Sequence, residues 1–147
     1  MGRINNRAIH PGKDTLQISS ALVDEMKKHV ATCLPEEACG LLAGNGNIVH
    51  KFVPIINALH LPNRFRMQPV QQVRALLDFE ENGLELLAII HSHPQGPPVP
   101  SPTDLAEVTY PDAATVIWCQ ADGDWQMRAF RIQSDQAIEE IAVAVTA

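Results

Sequence analysis

No apolar run in this chain of 147 residues approaches the roughly 20 residues that a membrane-spanning helix needs. The opening stretch, MGRINNRAIHPGKD, also lacks the apolar centre of a secretory leader, so a soluble, cytoplasmic protein is expected. Basic residues are scarce: 11 Lys and Arg against 17 Asp and Glu give a formal charge of -6, which disfavours nonspecific contact with nucleic acid or an anionic membrane. Only three cysteines occur, Cys33, Cys39 and Cys119, and none stands in a Cys-x-x-Cys pair. That number and spacing support neither a disulfide framework nor a thiolate metal cage, and Cys39 reads as a small buried hydrophobe. Repeats and low-complexity tracts are absent apart from one proline-rich loop.

What is present is enough apolar sequence, 46%, for one domain with a substantial core. Residues 1–14 are polar and read as a flexible lead-in, leaving residues 15–147 as the single domain. The most hydrophobic strand-like run, Leu84 to Ile90, delivers the chain into HSHPQGPPVPSPTD, His91 to Asp104. His91 and His93 stand two apart, so if the strand persists their imidazoles share a side. Ser101-Pro102-Thr103 reads as the start of a short helix with Asp104 in its first turn, where the carboxylate can serve as a third ligand. Two histidines and one carboxylate leave a coordination position for water, the arrangement of catalytic rather than structural zinc. Pro94, Pro97, Pro98, Pro100 and Pro102 restrict the connecting loop and reduce the entropy lost on ordering it. A His-x-His pair alone is common on polar loops; the full spacing is what sets this one apart.

His91-Ser92-His93, seven further residues, Ser101, two more and Asp104 resemble the signature of the JAMM (MPN-plus, Mov34/PAD-1) zinc metalloproteases, isopeptidases that act on ubiquitin and ubiquitin-like proteins. Pro35-Glu36-Glu37-Ala38-Cys39-Gly40-Leu41-Leu42-Ala43-Gly44 resembles the family's second motif, with Glu37, three before Gly40, at the matching glutamate. The resemblance runs from about Leu16 to Trp118. The long inserted loop and flanking helices of the larger eukaryotic deubiquitinases are missing, so the chain is similar to the small prokaryotic branch. The resemblance implies an α/β fold, a mixed sheet flanked by helices in the cytidine-deaminase-like MPN architecture. It implies Zn2+ on His91, His93 and Asp104, with Glu37 as the general base that passes a proton to the leaving amine and Ser101 as donor to the oxyanion. The substrate it implies is a peptide or isopeptide bond after the C-terminal tail of a ubiquitin-like or sulfur-carrier protein, and a homodimer is compatible with it. Nothing around Ser101 supplies the relay that would make it a nucleophile. Two other classes compete: a non-catalytic MPN scaffold, which usually lacks a ligand, and a mononuclear Fe(II) oxygenase, whose all-β barrel the helix-strand alternation disfavours.

Along the chain, Thr15 to Ile18 predicts a strand and Ser19 or Ser20 caps a helix to about Cys33, with Leu22, Met26 and Val30 on its buried face. His29 on that helix is expected at the surface. Ala38 to Ala43 and Ile48 to Ile55 predict a hairpin about Gly44-Asn45-Gly46-Asn47. The piece from Asn57 to Pro69 resembles the extended segment that borders the cleft in small family members. Pro69 starts a helix whose stripe of Val70, Val73, Leu76 and Leu77 reads as core, stopped by Asn82-Gly83. After a short helix over Asp104 to Val108, Ala113 to Cys119 and Trp125 to Ile132 predict antiparallel strands about Asp122-Gly123. The tail from Asp135 fits a helical start followed by a terminal strand.

Overall fold

Apolar side chains that alternate along the strands set two cores on opposite faces of one sheet. The computed structural model describes residues 15–133 and 135–147; the lead-in expected over residues 1–14 lies outside them. The elements are β1 (Thr15–Ser19), α1 (Ser20–Cys33), β2 (Cys39–Asn45), β3 (Ile48–Ile55), α2 (Pro69–Glu81), β4 (Glu85–His93), α3 (Pro102–Ala106), β5 (Ala114–Ala121), β6 (Asp124–Ile132) and β7 (Ile138–Thr146). The strands pair in the order β1-β3-β2-β4-β5-β6-β7, and β7 pairs back onto β1, so the mixed sheet closes into a barrel. β4 lies antiparallel to β2, with His91 opposite Cys39, and parallel to β5, with His93 opposite Cys119. No helix among the described residues is long and apolar enough to cross a membrane.

One core draws on every strand, from Leu16 and Ile18 of β1 to Ile141 of β7, and on Met26 and Val30 of α1. The second joins Cys39, Leu41 and Ala43 of β2 to Ala75 and Phe79 of α2, with Ile89 of β4 packed against it. Consecutive residues of β4 therefore serve different cores: Ala88 and Ile90 the first, Ile89 the second. Such a strand is apolar on both sides, as the run from Leu84 predicts. Burial of a side chain the size of Phe79 stabilises the fold by about 1.5–3 kcal/mol. Ser19 caps α1 by accepting the Leu22 amide at 3.2 Å, and Pro35 stands just beyond the last turn.

Four expectations need correction. Val70, Val73 and Leu77 are 52%, 54% and 56% exposed; α2 instead turns Ala75 and Phe79 inward, with Leu76 half-buried. Its glutamines anchor it: the Gln68 side chain accepts the Gln71 amide at 2.7 Å as the cap, and Gln71 accepts the Ile56 amide at 2.8 Å. The Gln71 contact ties the helix to the segment after β3, a polar anchor invisible to apolar periodicity. The tail has no helical start: Ile138 to Thr146 is strand throughout, because it pairs with β6 on one side and β1 on the other. α3 ends at Ala106 rather than Val108, and its first turn begins at Pro102. His29 is half-buried, its Nε2–H directed at the Cys39 carbonyl at 2.9 Å.

Candidate metal centre

β4 persists through His93, which aims His91 and His93 to the same side of the sheet, as two-residue periodicity requires. His91 is 1% exposed and His93 5%. Past Pro94 the loop returns to Ser101, which caps α3 in a reciprocal box: Ser101 Oγ accepts the Asp104 amide at 3.0 Å, and Asp104 Oδ2 accepts the Ser101 amide at 2.8 Å. The box carries Asp104 Oδ2 to 3.2 Å from His91 Nε2 and 3.1 Å from His93 Nε2, while the two Nε2 atoms are 3.1 Å apart. His93 donates Nδ1–H to the Pro97 carbonyl at 2.7 Å, so in its neutral form the Nε2 lone pair faces the other two atoms. His91 stacks on Phe65 with ring centroids 4.7 Å apart.

The three atoms form a nearly equilateral triangle of acceptors. In neutral imidazoles and a carboxylate they repel one another, and a small divalent cation is the partner that satisfies all three together. The chemistry of the donor set therefore fits a metal. Without an ion the imidazoles can meet Asp104 only as Nε2–H donors: burial pushes its carboxyl up, but hydrogen bonds from His91 and His93 so protonated outweigh it and hold the group well below the usual carboxylate range. Burial lowers His91, whereas for His93 the Asp104 and Pro97 contacts overcome burial and raise it.

Glu37 reaches the same place from the other side of β4. It lies just before β2 and is 4% exposed, and its Oε1 has no hydrogen-bond partner among the described residues. One of its oxygens and one nitrogen of each imidazole lie within 4.8 Å of one another. Two carboxylates thus face the imidazoles, Asp104 in contact and Glu37 at a looser spacing. Burial pushes the Glu37 carboxyl up to about 7, with His93 opposing the shift and Asp104 adding to it. Ser92 sets the approach: its Oγ accepts the Ala38 amide at 2.8 Å and its own amide donates to the Ala38 carbonyl at 3.0 Å.

The structure brings together all five side chains that the sequence singles out. It adds two that residue types alone did not mark: Phe65, stacked on His91, and Asn57, buried in the loop between β3 and α2. Cys33, Cys39 and Cys119 are free thiols, with Cys39 and Cys119 opposite His91 and His93 on the neighbouring strands, and burial pushes Cys39 up to about 12. A cavity of about 470 Å3 opens beside His91 and Asp104, with Ile89 and Thr115 in its wall. Arg64, paired with Glu107, and Tyr110, which accepts from Gln72 Nε2 at 2.8 Å, frame its mouth.

A barrel of this topology with such a site defines a class, and comparison with known proteins identifies it. The pattern of the family described as prokaryotic homologs of the JAB domain matches residues 19–133. The chain belongs to the JAMM (MPN-plus) zinc metalloprotease family as a small prokaryotic-type member. It is 36% identical over 96 residues to the "Probable TtuB-protein conjugate cleaving protease" of Thermus thermophilus, covering 65% of this chain and 64% of that one. It is 34% identical to a desampylase of Pyrococcus furiosus (74% and 76% covered) and 31% identical to the CysO-cysteine peptidase of Mycobacterium tuberculosis (85% and 88%). Among solved structures, protein DSY2949 from Desulfitobacterium hafniense superposes with a TM-score of 0.79 at 30% identity, covering 88% and 92% of the two chains. AF2198, a JAB1/MPN domain protein from Archaeoglobus fulgidus, gives 0.59 at 19% identity over 89% and 97%, a likeness of fold alone.

Proposed function

We propose that this protein is a hydrolase that cuts a peptide or isopeptide bond following the C-terminal tail of a ubiquitin-like or sulfur-carrier protein. The observation that carries the reading is the triangle of His91 Nε2, His93 Nε2 and Asp104 Oδ2 with the buried Glu37 carboxylate beside it, its Oε1 without a partner among the described residues. His91, His93 and Asp104 would hold Zn2+. What such an ion supplies when bound is Lewis acidity, enough to bring a water pKa from about 16 to roughly 7.

The chain's own groups do the rest. Glu37, held near neutrality by burial, takes a proton from the attacking water and returns it to the nitrogen of the leaving amine as the carbon–nitrogen bond breaks. Ser101 Oγ already accepts the Asp104 amide, which leaves its O–H free to donate to the oxyanion formed at the scissile carbonyl. The cavity beside His91 and Asp104 receives substrate next to that carbonyl. The names of the relatives, proteases and peptidases of TtuB conjugates and of CysO-cysteine, support the substrate class. All the polar groups that hydrolysis requires are present, which separates this reading from a scaffold role.

The test is metal analysis and single-turnover cleavage of a ubiquitin-like fusion. We expect stoichiometric zinc in protein purified without added metal, and Glu37→Gln to keep that zinc while turnover falls by about two orders of magnitude. Glu36→Gln should behave like the parent, because its carboxylate faces His60 instead, 3.1 Å from Nδ1. Iron in place of zinc, or near-parent cleavage by Glu37→Gln, overturns the assignment.

A further inference from the structure

The Glu37 carboxylate is short of anchors at its own end. Its Oε1 has no partner among the described residues, and the residue precedes β2, outside the strand's regular ladder. Its position is therefore inherited from its backbone. Ser92 secures the next residue, Ala38, at both amide and carbonyl. Glu37 itself is secured at both groups by something else: its amide donates to the Leu61 carbonyl at 2.8 Å, and its carbonyl accepts from Asn57 Nδ2 at 3.0 Å.

Asn57 is 4% exposed, and its carboxamide is spent entirely on backbone. Nδ2 also approaches the carbonyls of Arg64 at 3.0 Å and Leu61 at 3.4 Å, while Oδ1 accepts the amides of Leu59 at 3.0 Å and Arg66 at 3.1 Å. One side chain thus closes the loop 57–67 upon itself and ties it, across 20 residues of sequence, to Glu37. Closing the loop alone needs only the contacts to Leu59, Leu61, Arg64 and Arg66. The bond to Glu37 is the one that loop closure leaves unexplained. That loop presents Phe65 to His91 and Arg64 to the cavity mouth.

Resting on the assignment of Glu37 as the proton-transfer group, we propose that Asn57 is its positioning residue: a clasp that sets the carboxylate relative to the two imidazoles by locking the Glu37 backbone to the loop bordering the cavity. Asn57 touches neither the metal triangle nor, in this reading, the substrate. Its loss should therefore spare metal affinity and lower kcat rather than raise KM.

The experiment is a double-mutant cycle on the zinc-loaded protein with a ubiquitin-like fusion as substrate. Asn57→Ala should keep one equivalent of zinc and a near-parent KM, with kcat reduced about ten- to hundredfold, the scale of a misplaced catalytic group. In the Glu37→Gln background the same substitution should cost nothing further, because the group it positions is already gone. An equal, multiplicative loss in both backgrounds overturns the clasp and leaves Asn57 a structural residue. Hydrogen exchange on the unmodified protein gives a second readout that needs neither activity nor a stable variant. The amides of Glu37, Leu59 and Arg66 should open as one unit with matching protection; independent opening of Glu37 overturns the proposal. Were Glu37→Gln to cleave like the parent, the base assignment would fall while the exchange data still decided the clasp.

Discussion

His91, His93 and Asp104 come from fourteen consecutive residues and need only a strand end, a proline-rich loop and a two-residue capping box to converge. Glu37, by contrast, is delivered by contacts that skip 54 residues to Ser92 and 20 to Asn57. The first half of the site is local, and the second exists only once the sheet has formed. Local construction secures donor geometry cheaply in conformational entropy, since the loop between the donors is short and stiff. Long-range construction makes the proton carrier sensitive to packing far from the chemistry.

The strongest way to break this contrast is to remove a donor. His91→Ala or Asp104→Ala should abolish hydrolysis and strip the metal, because two remaining ligands hold an ion poorly. Zinc measured by mass spectrometry after exhaustive dialysis decides it, and full occupancy in both variants would remove these residues as ligands. Next in size is the joint between the halves. Ser92 is fully buried, and Ser92→Ala leaves the Ala38 amide without its side-chain acceptor, which should cost about 1–3 kcal/mol. The urea midpoint should fall with an unchanged slope while zinc stays bound, and an unaltered midpoint would mean that the joint is dispensable.

The smallest effect lies on α1, away from the triangle. Burial lowers His29 below its ordinary 6.5, with the Cys39 carbonyl opposing, so the folded protein resists a proton that the unfolded chain accepts. As pH falls through 6.5 and on towards the folded value, the unfolded state binds more protons and stability drops; above 6.5 the difference vanishes. His29→Gln, which keeps a donor for Cys39, should flatten that part of the stability-pH curve relative to the parent. Parallel curves for the two proteins would show that His29 is not the titrating group.

How much of this could be read from sequence divides along the same line. The His91–Asp104 motif announces its own geometry, since strand periodicity and the Ser101 cap act within a few residues. Glu37 could be singled out only by resemblance to a family pattern, because nothing in its neighbours distinguishes it from Glu36. Asn57 remained one polar residue in a polar connector, for its role consists of backbone partners that adjoin it only after folding. The exposed stripe of α2 shows the same limit from another side. Val70, Val73 and Leu77 are the periodic choice for a core, yet Ala75 and Phe79 pack inward and Gln71 bonds the Ile56 amide. In the tail, Ile138, Ile141, Ala142 and Val145 suit a helix while Ile141, Val143 and Val145 alternate as a strand; pairing on both edges makes it strand.

β7 pairs Ala142 with Thr15, the last strand with the first of the described sheet. In a chain made from its N-terminus on the ribosome, every side chain of the site is therefore synthesised before the sheet that carries it can close. Until residue 146 emerges, β1 and β6 each keep an open edge able to accept a foreign strand. Pairing of β7 is thus the step that closes both edges to another strand.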